Sequence, residues 1–256
     1  MSVDLTRDGD LAVLTLNRPE ALNALSFAIL REIGAAFDAV AAMEGVRALL
    51  VTGAGDKAFC AGADIKELRN RPLMDQLTGA ELGQGVFAKL DTLPVPSVAL
   101  VGGYAFGGGA ELALACTFRL ATPKAVFGLP EIKLGLIPGY GGTQRLPRLV
   151  GEGRALEIVM TGRNVAAEEA ERIGLVNAVV EGDLMQAGRD FAGRFIRYGL
   201  PSLRFARDAI RRGGDLPLAE GLRVEADLST LAYRTADAEE GMAAFEEKRK
   251  PEFKDA

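Results

Sequence analysis

No histidine occurs among the 256 residues. That absence excludes Ser-His-Asp and Cys-His catalysis and the common His-ligated metal sites. Cysteine is scarce: Cys60 and Cys116 form no spacing motif, and in a reducing compartment both stay thiols used for packing. No apolar run reaches the roughly 18 to 20 residues that cross a bilayer, so no membrane association is expected. The N-terminal stretch MSVDLTRDGD has neither a basic region nor an apolar core of a signal peptide, which points to the cytoplasm. Positive charge is also in deficit. A net charge of −5 argues against nucleic acid as a partner, because such binding needs a basic face.

What remains is an ordinary globular composition, 48% hydrophobic and 25% charged, long enough for one sizeable core or a core with a small appendage. Chemistry must come from carboxylates, Lys, Tyr, Ser, Thr, Cys or backbone amides. Residues 11–17 (LAVLTLN) read as a strand stopped at Arg18-Pro19, and a helix is expected from about Asn23 to Met43. ALLVTG (48–53) reads as a buried strand, 80–92 as a helix, and SVALVGG, opened by Pro94 and Pro96, as another strand. FRLAT (118–122) and AVFGL (125–129) follow as short strands. This alternation implies an α/β domain with helices packed on stacked sheets, and no fixed repeat period stands out. From about Leu184 onward helical patterns replace strands, at 184–198, 202–212, 217–234 and 238–248. The boundary between an α/β core (1–199) and a helical tail (200–256) is placed near residue 200, and a tail with so little core of its own is expected to pack on the first domain or on another subunit of an oligomer.

Three glycine-punctuated segments stand apart: FCAGADIKE (59–67), GGYAFGGGAELAL (102–114) and FGLPEIKLGLIPGYGGTQRL (127–146). In the second, a strand ends, glycines turn, and AELALA opens a helix whose first amides and dipole favour an anion. That anion is either a phosphate or the oxygen of a polarised carbonyl. Neither GxxxxGK[ST] nor GxGxxG is present, so a nucleotide site has weak support. The FCAGAD loop supplies a second place from which an amide can reach the same oxygen. Glu111 falls in the first turn of the predicted helix, where the dipole favours its ionised form, and Glu131 follows a proline in a predicted loop. Spacing alone does not bring them together.

These segments, with LNRPEALNAL (16–25) and EGMAAFEEKRKPEFKD (240–255), resemble the enoyl-CoA hydratase/isomerase (crotonase) family over essentially the whole chain. The resemblance implies a spiral of ββα units with a C-terminal helical trimerisation region, assembled as a homotrimer or homohexamer. It implies an oxyanion hole on the amides of Ala63 and Gly108, catalytic glutamates at Glu111 and Glu131, and a water-positioning amide at Gly139. Glu111 is assigned as the base that activates water and Glu131 as the donor to the α-carbon. Coenzyme A is expected along Ala21 and Leu22, near Ala61, and along Asp64, Ile65 and Lys66. It would arrive as part of an acyl-CoA substrate, with no metal and no redox cofactor. Arg18, Lys66 and the run Lys248-Arg249-Lys250 are candidates to meet its phosphates, and residues 69–90 should include the wall of the acyl pocket. The implied reaction is hydration of a 2-trans-enoyl-CoA to a 3-hydroxyacyl-CoA. The alternatives are double-bond isomerisation, which needs only one acid/base, and hydration of a branched or carnitine-derived acyl-CoA. Some relatives bind RNA as well, a role the charge balance speaks against. Tyr140 is left without a role, and Cys60 is read as packing.

Overall fold

The computed structural model describes residues 2–256. Its strands are β1 (Val3–Asp8), β2 (Leu11–Leu16), β3 (Ala48–Gly53), β4 (Ala58–Cys60), β5 (Ser97–Val101), β6 (Tyr104–Phe106), β7 (Phe118–Ala121), β8 (Val126–Gly128), β9 (Val165–Ala166) and β10 (Ala178–Val179). The helices are α1 (Phe27–Ala41), α2 (Ile65–Leu68), α3 (Leu73–Thr92), α4 (Gly108–Ala115), α5 (Gly142–Val150), α6 (Glu152–Thr161), α7 (Ala167–Arg172), α8 (Leu184–Ala192), α9 (Leu200–Gly213), α10 (Leu218–Ala232) and α11 (Ala236–Glu246).

Two sheets carry the core. The larger runs β1-β2-β3-β5-β7-β10, with β2, β3, β5, β7 and β10 parallel and β1 antiparallel at the edge. The smaller runs β4-β6-β8-β9, parallel except for β9. Each of β3, β5 and β7 is followed by a strand of the smaller sheet and then by helix, so the chain winds through three successive ββα turns. The expected α/β spiral is the architecture observed. Strands covered on both faces read as unbroken apolar runs, and all five residues of β5 are buried.

Several boundaries differ from the sequence reading, each for a local reason. The helix expected from Asn23 begins at Phe27, capped by Ser26, whose hydroxyl accepts from the Ile29 amide. Asn23 itself adopts φ 57°, and its buried amide donates to Ala54 O and Ala58 O while its oxygen accepts from Arg18 N–H. It pins the chain before α1 rather than starting it. α3 starts at Leu73, after Pro72, well ahead of residue 80.

By its contacts the chain divides into two compact units, residues 1–93 with 97–189, and 94–96 with 190–256. The sequence put the change near residue 200. In the second unit α9 packs against α10, and buried Asp237 accepts from the amides of Lys254 (2.6 Å) and Asp255 (3.0 Å), fixing the C-terminal segment. No helix among the described residues is long and apolar enough to cross a membrane.

Candidate active site

The site forms where the turns after β4, β6 and β8 meet. Helix α4 is apolar on every side, and all eight of its residues are buried. Glu111 is therefore carried into the interior with only 1% of its surface exposed. Its Oε1 accepts two backbone hydrogen bonds, from Tyr140 N–H and Gly142 N–H, both at 2.7 Å. Burial is the largest influence and pushes its pKa up to about 7, with the Glu131 charge adding to the rise and the two amides and Arg145 opposing it. The sequence reading expected the helix dipole to favour the ionised form. That expectation is corrected here: α4 is buried throughout, and desolvation outweighs the dipole.

Glu131 lies in a 3-10 turn, Pro130–Leu134, rather than in an open loop. Burial again raises its pKa, and its Oε2 is buried with no hydrogen-bond partner among the described residues. Gly107 permits this placement. It takes φ 50°, and a Cβ there would stand 2.7 Å from Glu131 Oε1. The two carboxyl groups, twenty positions apart in sequence, thus lie close enough for the charge of Glu131 to act on Glu111.

The loops carrying Ala63 and Gly108 touch main chain to main chain: a Cβ on Gly62 would stand 3.0 Å from Phe106 O and 3.7 Å from Gly108 N. Ala63 is fixed by a parallel bridge to Leu25, in which Leu25 N–H donates to Gly62 O and Asp64 N–H to Leu25 O. That pattern leaves the Ala63 amide unused, and Gly108, as the first residue of α4, has no helical acceptor for its own. Neither amide, nor that of Gly139, has a partner among the described residues. Gly139 is held from its other side, its carbonyl accepting from Gln84 Nε2 at 2.9 Å.

The remaining expected positions gather at one edge. Ala21 closes a 3-10 turn, and Leu22 follows in a left-handed conformation, its carbonyl accepting from Ala61 N–H at 2.9 Å. Asp64 caps α2, and Ile65, the first residue of that helix, is more than half exposed. An open groove beside them is lined by Arg18, Ser26, Ile29, Asp64, Lys66 and Glu67. Arg18 pairs with Asp64 at 3.3 Å, whereas Lys66 makes no ion pair among the described residues. In the C-terminal run, Arg249 is held by Glu240 and Glu247 and its charge is locally matched.

Sequence reasoning missed how Glu111 is held. The amides of Tyr140 and Gly142 grip it, and the signal available was the PGYGG turn opening a helix. The Tyr140 ring is buried edge-on against Phe87 and lies over Gly83 and Gly108. Its hydroxyl is pushed up to about 12, chiefly by burial. Cys60 is fully buried, and burial raises its thiol to about 12 as well.

An α/β spiral that gathers three glycine loops around one buried and one half-buried carboxyl defines a class, and comparison with known proteins assigns it. The enoyl-CoA hydratase/isomerase family model matches residues 6–256. The chain is 44% identical over 253 residues to a crotonyl-CoA hydratase of Syntrophomonas wolfei, covering 98% of this chain and 97% of the relative. It is 41% identical over 252 residues to a short-chain-enoyl-CoA hydratase of Clostridium acetobutylicum, with 98% and 97% covered. The crystal structure of an enoyl-CoA hydratase from Bacillus anthracis superposes with a TM-score of 0.95 at 38% identity over the whole of both chains. The chain belongs to the enoyl-CoA hydratase/isomerase family and is an enzyme of it.

Proposed function

We propose that this enzyme adds water across the double bond of a 2-trans-enoyl-CoA, giving the 3-hydroxyacyl-CoA. Glu111 takes a proton from water as its oxygen bonds to the β-carbon, and Glu131 delivers a proton to the α-carbon. The protons are re-equilibrated between the two carboxyls through solvent after product leaves. Negative charge grows on the thioester oxygen between these events, and the free amides of Ala63 and Gly108 are the donors for it. The Gly139 amide orients the attacking water. Coenzyme A lies along Ala21, Leu22 and Ala61 and along Asp64, Ile65 and Lys66, with no metal or redox cofactor in the reaction.

One observation carries this reading. One buried and one half-buried carboxyl, both with raised pKa, sit beside the amides of Ala63 and Gly108, which have no acceptor among the described residues. A base works best when its pKa is near the working pH, and about 7 meets that condition for Glu111. The name of the Syntrophomonas relative adds crotonyl-CoA as the first substrate to try. Apolar side chains exposed on the tail, among them Ile210, Leu218, Leu222 and Phe245, support a self-associated form, a homotrimer or homohexamer, which sedimentation measures directly.

The test follows loss of the conjugated-thioester absorbance of crotonyl-CoA and confirms a mass gain of one water, which separates hydration from isomerisation. E111Q and E131Q should each lower kcat by about 10²- to 10⁴-fold, with KM little changed. No turnover on enoyl-CoAs of any length by the intact protein would overturn the reading.

A further inference from the structure

The carboxylate of Glu111 is held by a loop, so what holds the loop matters. Residues 139–142 hydrogen-bond Glu111 through main-chain groups, the amides of Tyr140 and Gly142. On the opposite side of the same stretch, Arg145 Nη1 donates to the Tyr140 carbonyl at 3.2 Å. Arg145 Nη2 then donates to Asp91 Oδ2 at 3.0 Å, tying the loop to the last turn of α3. The Arg145 side chain passes close to Gly141, which adopts φ 112°, and a Cβ on that glycine would meet Nη1 at 2.3 Å. The backbone of Tyr140 is thus clamped at both ends, by a carboxylate on its N–H and by a guanidinium on its C=O. Gln84 supplies a second tie from α3, through the Gly139 carbonyl.

We propose that Arg145 is the positioning residue of this site, acting through the Tyr140–Gly142 backbone to aim the Glu111 carboxylate, with Asp91 as its anchor on α3. The inference rests on the reading of Glu111 as the water-activating base. The groups facing Glu111 are Glu131 from the 3-10 turn, Arg145 from α5 and Tyr140 from the loop. Of these only Arg145 is positive, and it opposes the rise in pKa caused by burial and by Glu131. Arg145 itself is only about one-fifth exposed, so water screens this interaction weakly. Its bifurcated use, one nitrogen on a carbonyl and one on a carboxylate, suits a planar guanidinium and not an ammonium.

Removing the cation has a definite sign. Glu111 loses a group that favours its charged form, so it ionises at higher pH and less of it is a base at neutrality. The variants are R145Q, R145K and D91N, each examined for crotonyl-CoA hydration across pH and for Glu111 titration by NMR with ¹³C-labelled glutamate, using E111Q to assign the signal. R145Q should lose about ten- to a hundredfold in kcat, with KM within about threefold, as expected for a small misplacement of a reacting group. Its acid limb and its Glu111 midpoint should both move to higher pH. R145K keeps the charge and should hold the midpoint near that of the parent, while kcat still falls because the double tether is lost. D91N keeps Arg145 charged and should lower kcat with no upward shift. A Glu111 midpoint in R145Q equal to the parent's overturns the proposal. If R145Q fails to fold, parental kcat in both R145K and D91N overturns it instead. Should the parent hydrate no enoyl-CoA, the proposed function fails, and the NMR titration still decides the role of Arg145.

Discussion

Glu111 is a carboxyl group with almost no water and two amides in its place. Amide donors recover part of the lost hydration, yet the balance still favours the proton, with a pKa of about 7 against an ordinary 4.5. The consequence for stability has a clear sign. Below pH 4.5 the group is neutral in both folded and unfolded chains, and its burial carries no charge penalty. As pH rises from there the unfolded chain ionises first, so stability is lost until the folded-state pKa is passed. The full loss is on the order of 3 kcal/mol, at 1.36 kcal/mol per pKa unit. E111Q, which has no charge to bury, should therefore unfold at higher urea than the parent at pH 8 and show much less advantage at pH 5. An equal difference at both pH values would sink this account. An inactive variant more stable than its parent is the usual sign that a site holds its chemistry at the expense of the fold.

At the scale of the element, α3 shows how a glycine can be a contact surface. Two rings seat on it one turn apart, Phe27 against Gly79 and Tyr140 against Gly83. A Cβ on Gly83 would stand 2.2 Å from Tyr140 Cδ1, while one on Gly85 of the same helix would meet nothing within 4 Å. Alanine is favoured over glycine in a helix by up to about 1 kcal/mol, so G85A should raise Tm slightly. Overpacking costs about 1–3 kcal/mol, so in G83A the clash wins and Tm should fall. A rise in both variants would show that no ring is seated there. These glycines also explain why the sequence pattern began the helix at 80. They dilute the apolar periodicity over 73–85, and nothing in the spelling of that stretch announces that rings from elsewhere fill the notches. Asn23 misled in the same way, since a residue expected to start a helix spends its side chain on the backbone of another loop. α4, by contrast, was legible at once, because glycines, a break in strand pattern and AELALA leave few alternatives.

Over the whole molecule, β2, β3, β5 and β7 could be read because parallel strands buried on both faces leave unbroken apolar runs, whereas the edge strands β1 and β10 of the same sheet went unread. The spiral could not. Its three turns begin at Ala48, Ser97 and Phe118, spacings too unequal to register as a repeat. The short partner strands, such as Ala58–Cys60 and Tyr104–Phe106, are only three residues long. The two glutamates were legible through family motifs, whereas their meeting depends on loops that converge only in three dimensions. Cys60 and Cys116, both buried, give a readout of the core as a unit. A thiol reagent at neutral pH should label neither in the native protein and both after unfolding in denaturant, with labelling rates that track opening of the core. Rapid native labelling of Cys60 would contradict its burial and its raised pKa of about 12.

The amides of Ala63 and Gly108 belong to the main chain, and of all codon changes only one to proline deletes either of them. Any other substitution reaches them only by bending the path of the polypeptide. In a survey of all single substitutions, damage to these donors would then register at the glycines and bridge residues that steer the backbone, with Ala63 itself tolerating exchange better than its neighbours.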